Sequence, residues 1–249
     1  MRAGLIQGIG GRGPLLELVT GDADAALDDR LRCWAMETEA VFAASAAERR
    51  AVADLLESLD EGQLRTPSLC TGWDLRTVAA HLAGAVSPSK RAFLLALVRS
   101  AGNMHRANDA TAREHARQPV AQIVDTLRQH ANSRFAPPVV GPRGPLADVL
   151  VHGGDMRLPL GLPHDPSTDH VLGALELISR GRPIGFVPRG RLTGLRLSAD
   201  DADWSWGSGA QVQGRGIDVL MAACGRAAVL PRLSGAGVDT LRRRLGVCE

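Results

Sequence analysis

Apolar residues recur at helical spacing from Met36 to His152, and proline and glycine clusters cut the pattern into pieces of helix length. Such a chain folds most readily as an antiparallel bundle, because each short connection returns the next apolar stripe to the same core. The first piece spans Met36 to about Leu59, with Val41, Phe42, Val52, Leu55, Leu56 and Leu59 on one stripe. Glu48, Arg49, Arg50 and Glu57 are assigned to its other face. Asp60-Glu-Gly closes it, and the turn-rich loop Thr66-Pro-Ser-Leu-Cys-Thr-Gly-Trp-Asp74 follows. Asp74 is placed to cap a second helix reaching about Val86, on which Leu75, Val78, His81 and Leu82 share a stripe. His81 therefore faces the bundle interior, either as a hydrogen-bonded core histidine or as a ligand. A third helix is expected over 91–98 and a fourth over roughly 111–135. Pro137-Pro138 and Gly141-Pro-Arg-Gly-Pro145 then form a stiff connection.

Beyond that connection lies Leu146-Ala-Asp-Val-Leu-Val-His-Gly-Gly-Asp155. On a helix, Asp148 and His152 at i and i+4 lie one turn apart on one face, a spacing that lets a carboxylate and an imidazole grip one divalent ion. The same spacing also suits a salt-bridged acid beside a satisfied core histidine, and only a partner from elsewhere in the chain decides between them.

The totals exclude several classes. A length of 249 residues, 45% of them hydrophobic, allows one large or two modest domains with a packed core. The net charge is +2 and the arginines are scattered among acids, without aromatics interleaved for base stacking; a nucleic-acid partner is disfavoured. No run approaches the roughly 18 apolar residues of a membrane span. Cys33, Cys70, Cys224 and Cys248 are widely spaced without a CxxC pair, which suits a reducing cytoplasm. Residues 1–35 read as a poorly packed extension, with Met36 as a candidate translation start. Its glycines at 8–13 spell a dinucleotide-loop pattern, but no strand precedes them and Pro14 follows at once.

The C-terminal part is mixed. Residues 171–180 read as a helix, 194–199 and 203–207 as a hairpin, 214–224 as a helix and 238–245 as a last helix. Trp204 and Trp206 are expected to pack in the hairpin. The expected fold class is α+β, with a helical bundle over 36–165 and a small α+β domain over 166–249.

Three blocks carry a family resemblance: Glu48-Arg-Arg-Ala-Val-Ala-Asp-Leu-Leu-Glu-Ser-Leu, Pro67-Ser-Leu-Cys-Thr-Gly-Trp-Asp-Leu-Arg-Thr-Val-Ala-Ala-His81, and Val149-Leu-Val-His-Gly-Gly-Asp-Met-Arg-Leu-Pro-Leu-Gly-Leu-Pro163. Together they resemble the mycothiol-dependent maleylpyruvate isomerase family of the DinB-like metalloprotein group, over about residues 36–245. The resemblance implies a DinB-like four-helix metal domain with a smaller α/β C-terminal lobe. It implies His81, Asp148 and His152 as ligands of a divalent metal, zinc being typical, and mycothiol as thiol cosubstrate. Asp148 departs from the pattern, which usually has Glu there.

Two imidazoles and one carboxylate leave a zinc coordination position open, as in catalytic sites. A thiol held there as thiolate can add to an activated double bond and leave after rotation, or attack an electrophile and stay. The expected activity is therefore cis–trans isomerisation or S-transfer on a small electrophile, by a soluble monomer or homodimer. A non-catalytic metal- or ligand-binding regulatory protein is the alternative. Asp155 is read either as an acceptor behind His152 or as a helix cap, and Cys70 as a packing residue. The resemblance, through a Gly-Arg-x-Ala piece, implies Arg226 as the candidate catalytic arginine and carboxylate clamp; a surface arginine after a helix is the alternative reading.

Overall fold

A computed structural model describes residues 37–87, 95 and 98–247. The N-terminal extension with its glycines lies outside the described residues. So does most of the helix expected over 91–98, of which Leu95 and Val98 are described as helical. The described residues belong to one compact unit beginning at Met36.

Helix α1 (Thr38–Ser58) leads through the single turn α2 (Glu61–Leu64) to α3 (Leu75–Val86). The α2 turn starts with a reciprocal cap: Gln63 N–H donates to the Asp60 carboxylate, while the Gln63 side chain accepts from Asp60 N–H. Asp74 caps α3 as expected, accepting from Thr77 N–H at 2.8 Å.

The fourth helix of the sequence reading is two helices, α4 (Met104–His115) and α5 (Val120–Gln129). The break falls at Pro119, which has no N–H to donate and keeps its predecessor out of helical backbone. Helix α6 (Arg143–Arg157) packs on α1 and α3, and α7 (Thr168–Ser179) covers its other side.

One assignment on α1 changes sides. Arg49 is only 4% exposed and lies in line with buried Val41, Ser45, Val52 and Leu56. Its Nη1 donates to the carbonyls of Ala131 at 2.7 Å and Ser133 at 3.1 Å, just beyond the end of α5. Glu48 is half-buried and its carboxylate meets His170 Nδ1 at 2.7 Å. The buried arc of α1 is wider than its apolar stripe because α5, α6 and α7 all pack on it.

In the C-terminal part, β1 (Leu195–Ala199) and β2 (Trp204–Gly207) form the expected hairpin. A third strand, β3 (Ala210–Gly214), lies parallel to β1 on its other side, in the order β2-β1-β3. The sequence reading missed it because Ser208-Gly209 alone carry the chain past the end of β1. Gly209 has φ +120°, and a Cβ there would approach the Gly194 carbonyl oxygen to 2.2 Å, so only glycine fits the crossing. Helices α8 (Gly216–Ala223) and α9 (Val238–Arg244) complete the described chain. Helix α8 packs on α6, α7 and the sheet, so one apolar core runs from Val41 to Leu241.

His164 ties the segment between α6 and α7 to the core. It is 6% exposed, and its Nε2 donates to the Leu150 carbonyl at 2.9 Å. Burial, helped by the nearby Arg157 charge, pushes its imidazole down to about 4.

Two outcomes follow for stability. Gly209→Ala lowers the urea midpoint by clearly more than Gly185→Ala, which has open space around it and bears only the left-handed backbone cost of about 1 kcal/mol; equal losses would show that the crossing relaxes freely. His164 stays neutral in the fold while the unfolded ring takes a proton. Its contribution is therefore full above about pH 6.5 and is lost on acidification towards pH 4, by up to about 3 kcal/mol. Urea titrations should show a flatter acid limb for His164→Asn, and parallel limbs would remove His164 as the titrating group.

Candidate metal centre

Helix α6 turns Asp148 and His152 towards α3, and α3 presents His81 to both. His81 Nε2 lies 3.5 Å from one Asp148 oxygen, and His152 Nε2 lies 3.5 Å from the other. The ligand atoms of all three residues fall within 4.8 Å of one another. A separation of 3.5 Å is long for a hydrogen bond. It is close to the edge of a tetrahedron with metal–ligand bonds near 2.0–2.1 Å, which is about 3.4 Å. Each histidine meets a different Asp148 oxygen, and one donor atom from each of the three residues lies within reach of a common divalent ion. The shorter Asp148 side chain reaches both histidines, because α3 and α6 pack directly on each other.

The charges agree with this arrangement. Burial alone would raise the Asp148 carboxyl. The His81 and His152 imidazoles outweigh it, aided by Arg226, and hold the group down to about 2. Asp148 retains 25% side-chain exposure against 10% for His152, so the centre opens on the side of the acid.

Behind the histidines stand groups that fix them. His152 Nδ1 is 2.9 Å from Asp155 Oδ2, and a carboxylate only accepts, so Nδ1 carries a proton and Nε2 is the nitrogen turned to Asp148. Asp155 is fully buried and receives the Arg226 guanidinium as a fork, Nε to Oδ1 at 2.9 Å and Nη2 to Oδ2 at 2.6 Å. Burial pushes the Asp155 carboxyl up, but these hydrogen bonds more than offset it and leave the group below its ordinary range.

Trp73 forms a wall, its ring 5.3 Å from that of His81 and stacked 6.2 Å from that of His152. Asp109 holds the wall in place, accepting from Trp73 Nε1 at 2.7 Å and from Arg113 on the same helix. Cys70 lies beside His152 and Asp155. Burial, with the Asp155 charge close by, raises its thiol, so it stays protonated.

All the candidate site residues of the sequence reading thus lie in one cluster, with Arg226 hydrogen-bonded to Asp155 behind His152. Sequence reasoning missed Asp109. Its spacing to Arg113 on one helix face was visible, but nothing local pointed to Trp73.

Residues 45–137 match the model of a family described as the mycothiol maleylpyruvate isomerase N-terminal domain. This segment is similar to that domain. It includes His81 and ends before Asp148 and His152, which the fold brings to it. A crystal structure of the mycothiol-dependent maleylpyruvate isomerase is similar over 81% of this chain and 93% of its own, at 14% identity and a TM-score of 0.53. A mutant of that isomerase matches with the same coverage and TM-score at 13% identity. At this identity the likeness shows the fold: a DinB-like helical bundle with a small C-terminal α+β part. No curated protein matches the sequence.

Asp109→Ala leaves the Trp73 N–H without its acceptor and should cost about 1–2 kcal/mol. In a double-mutant cycle with Trp73→Phe read by urea unfolding, a coupling near 1 kcal/mol is expected. Strict additivity would show that Asp109 does not hold the indole.

Proposed function

We propose that this chain is a metal-dependent enzyme using a low-molecular-weight thiol, mycothiol, on a small electrophile such as maleylpyruvate. The reaction is cis–trans isomerisation or S-transfer, and zinc is the metal the donor set suits best. The carrying observation is the convergence of His81, Asp148 and His152, one ligand atom of each within 4.8 Å of the others, in a chain whose residues 45–137 match the isomerase N-terminal domain.

His81, Asp148 and His152 would hold the ion through Nε2, a carboxylate oxygen and Nε2. When bound, the metal supplies a positive centre with an open position at which a thiol is held as thiolate at neutral pH. The chain's own groups provide the rest. Asp155 keeps the proton of His152 on Nδ1, so that the ring binds through Nε2 without rotating. Trp73 shields one side of both imidazoles from water. Cys70, with its raised thiol, does not compete with an incoming thiol as a nucleophile. Arg49, a buried cation near enough to Asp148 for their charges to interact, adds positive potential at the same end of the bundle. No described helix is long and apolar enough to cross a membrane.

Plasma mass spectrometry on protein prepared with zinc should find near one ion per chain. His81→Ala and Asp148→Ala should lose it, and Cys70→Ser should keep it. Turnover of a maleyl-type substrate should require both the ion and the thiol. Wild-type protein without metal would end the proposal, and metal without thiol-dependent turnover across electrophile classes would leave a metal- or ligand-binding protein of this fold.

A further inference from the structure

We propose that Arg226 is a positioning residue that completes the metal centre from the C-terminal lobe, acting along the chain Arg226–Asp155–His152, and that it is not a carboxylate clamp for substrate. The inference rests on the metal reading above and specifies how that site is held.

A clamp needs a free guanidinium edge. Of the two edges that a carboxylate can fork onto, Nε with Nη2 is taken by Asp155 at 2.9 and 2.6 Å, and the other shares Nη1 with a backbone carbonyl. Nη1 donates to the Cys224 carbonyl at 2.9 Å, so the plane of the group is fixed from a third direction. The arginine side chain keeps 17% exposure, and its partner carboxylate has none. The backbone holds it as firmly: Arg226 N–H donates to the Met221 carbonyl at 2.9 Å, and Gly225 at φ +102° turns the chain off α8 to aim the side chain at α6.

Asp155 gains from this what it cannot obtain within α6. Its Oδ2 accepts from both His152 Nδ1 and Arg226 Nη2, while Oδ1 accepts from Arg226 Nε. Without Arg226, the buried carboxylate would keep a single imidazole partner and no compensating full charge, an arrangement that buried acids avoid. The His152 ring would then lose its fixed orientation, and Nε2 would no longer be aimed steadily at the position shared with His81 and Asp148. Partners behind a ligating histidine are typically worth 10–100-fold in metal affinity.

The test is cobalt(II) binding to the full chain, read by competition with a chromophoric chelator and by the visible d–d bands, which report ligand geometry without any turnover. Arg226→Lys keeps the charge but cannot make the fork. It and Asp155→Asn should each weaken cobalt(II) about 10–100-fold and change the bands, and the double variant should bind no more weakly than Asp155→Asn alone. Arg226→Ala should behave like Arg226→Lys or worse; if it does not fold by circular dichroism, Arg226→Lys decides. Arg232→Gln, which removes a neighbouring arginine paired with Asp218 at 3.4 Å in the same lobe, should bind as wild type. Unchanged affinity and bands in Arg226→Lys, with a raised KM for substrate, would overturn the proposal in favour of a clamp. Wild-type protein that binds no cobalt(II) or zinc would overturn the metal reading itself, and this inference with it.

Discussion

The enclosure of α6 is the constraint on which the structure turns. Helices α1, α3, α7 and α8 all pack on it, and eleven of its fifteen residues are buried. Gly154 shows how close the approach is: a Cβ there would meet the Met221 side chain at 2.5 Å and the His164 ring at 2.9 Å. A helix surrounded in this way cannot keep polar side chains unless each finds a partner. His152 and Asp155 meet that condition through each other and through Arg226, and the Leu150 carbonyl takes a bond from His164. Asp148, on the less covered arc, is left to face the two histidines across 3.5 Å.

The same packing explains why the site draws on so much of the chain. His81 comes from α3, the acid and second histidine from α6, the wall from the loop before α3 and its anchor from α4. The arginine behind the site comes from the turn after α8. Burying charge requires opposite charge nearby, and the cation that pairs with Asp155 lies 71 residues away. The bundle alone carries His81, Asp148 and His152, but the second carboxylate, Asp155, would lack its partner. This ties the small C-terminal α+β part to the candidate site in the bundle.

Function is legible here through geometry more than through likeness. The family match covers one residue of the three-residue cluster and the structural match is distant in sequence, so neither assigns a reaction to this chain. The site adds what they lack: two imidazoles whose Nε2 atoms face one carboxylate, an acid held ionised between them, and an opening beside that acid. The substitution of Asp for the usual Glu at position 148 is accommodated by direct α3–α6 packing.

The sequence by itself determined the elements with strong local signals. Helical periodicity placed α1 and α3 to within a few residues, Asp74 marked its cap, and the i, i+4 spacing put Asp148 and His152 on one face. Tertiary structure alone decided the rest, because the relevant forces act between residues far apart in the chain. The inward turn of Arg49 reflects how many helices cover α1, which periodicity in one segment cannot report. The third strand exists because a two-residue crossing fits beside Gly194, a steric fact of the sheet. The assignment of Arg226 to Asp155 arises where the fold leaves a buried carboxylate in need of charge, and no local pattern around either residue encodes that need.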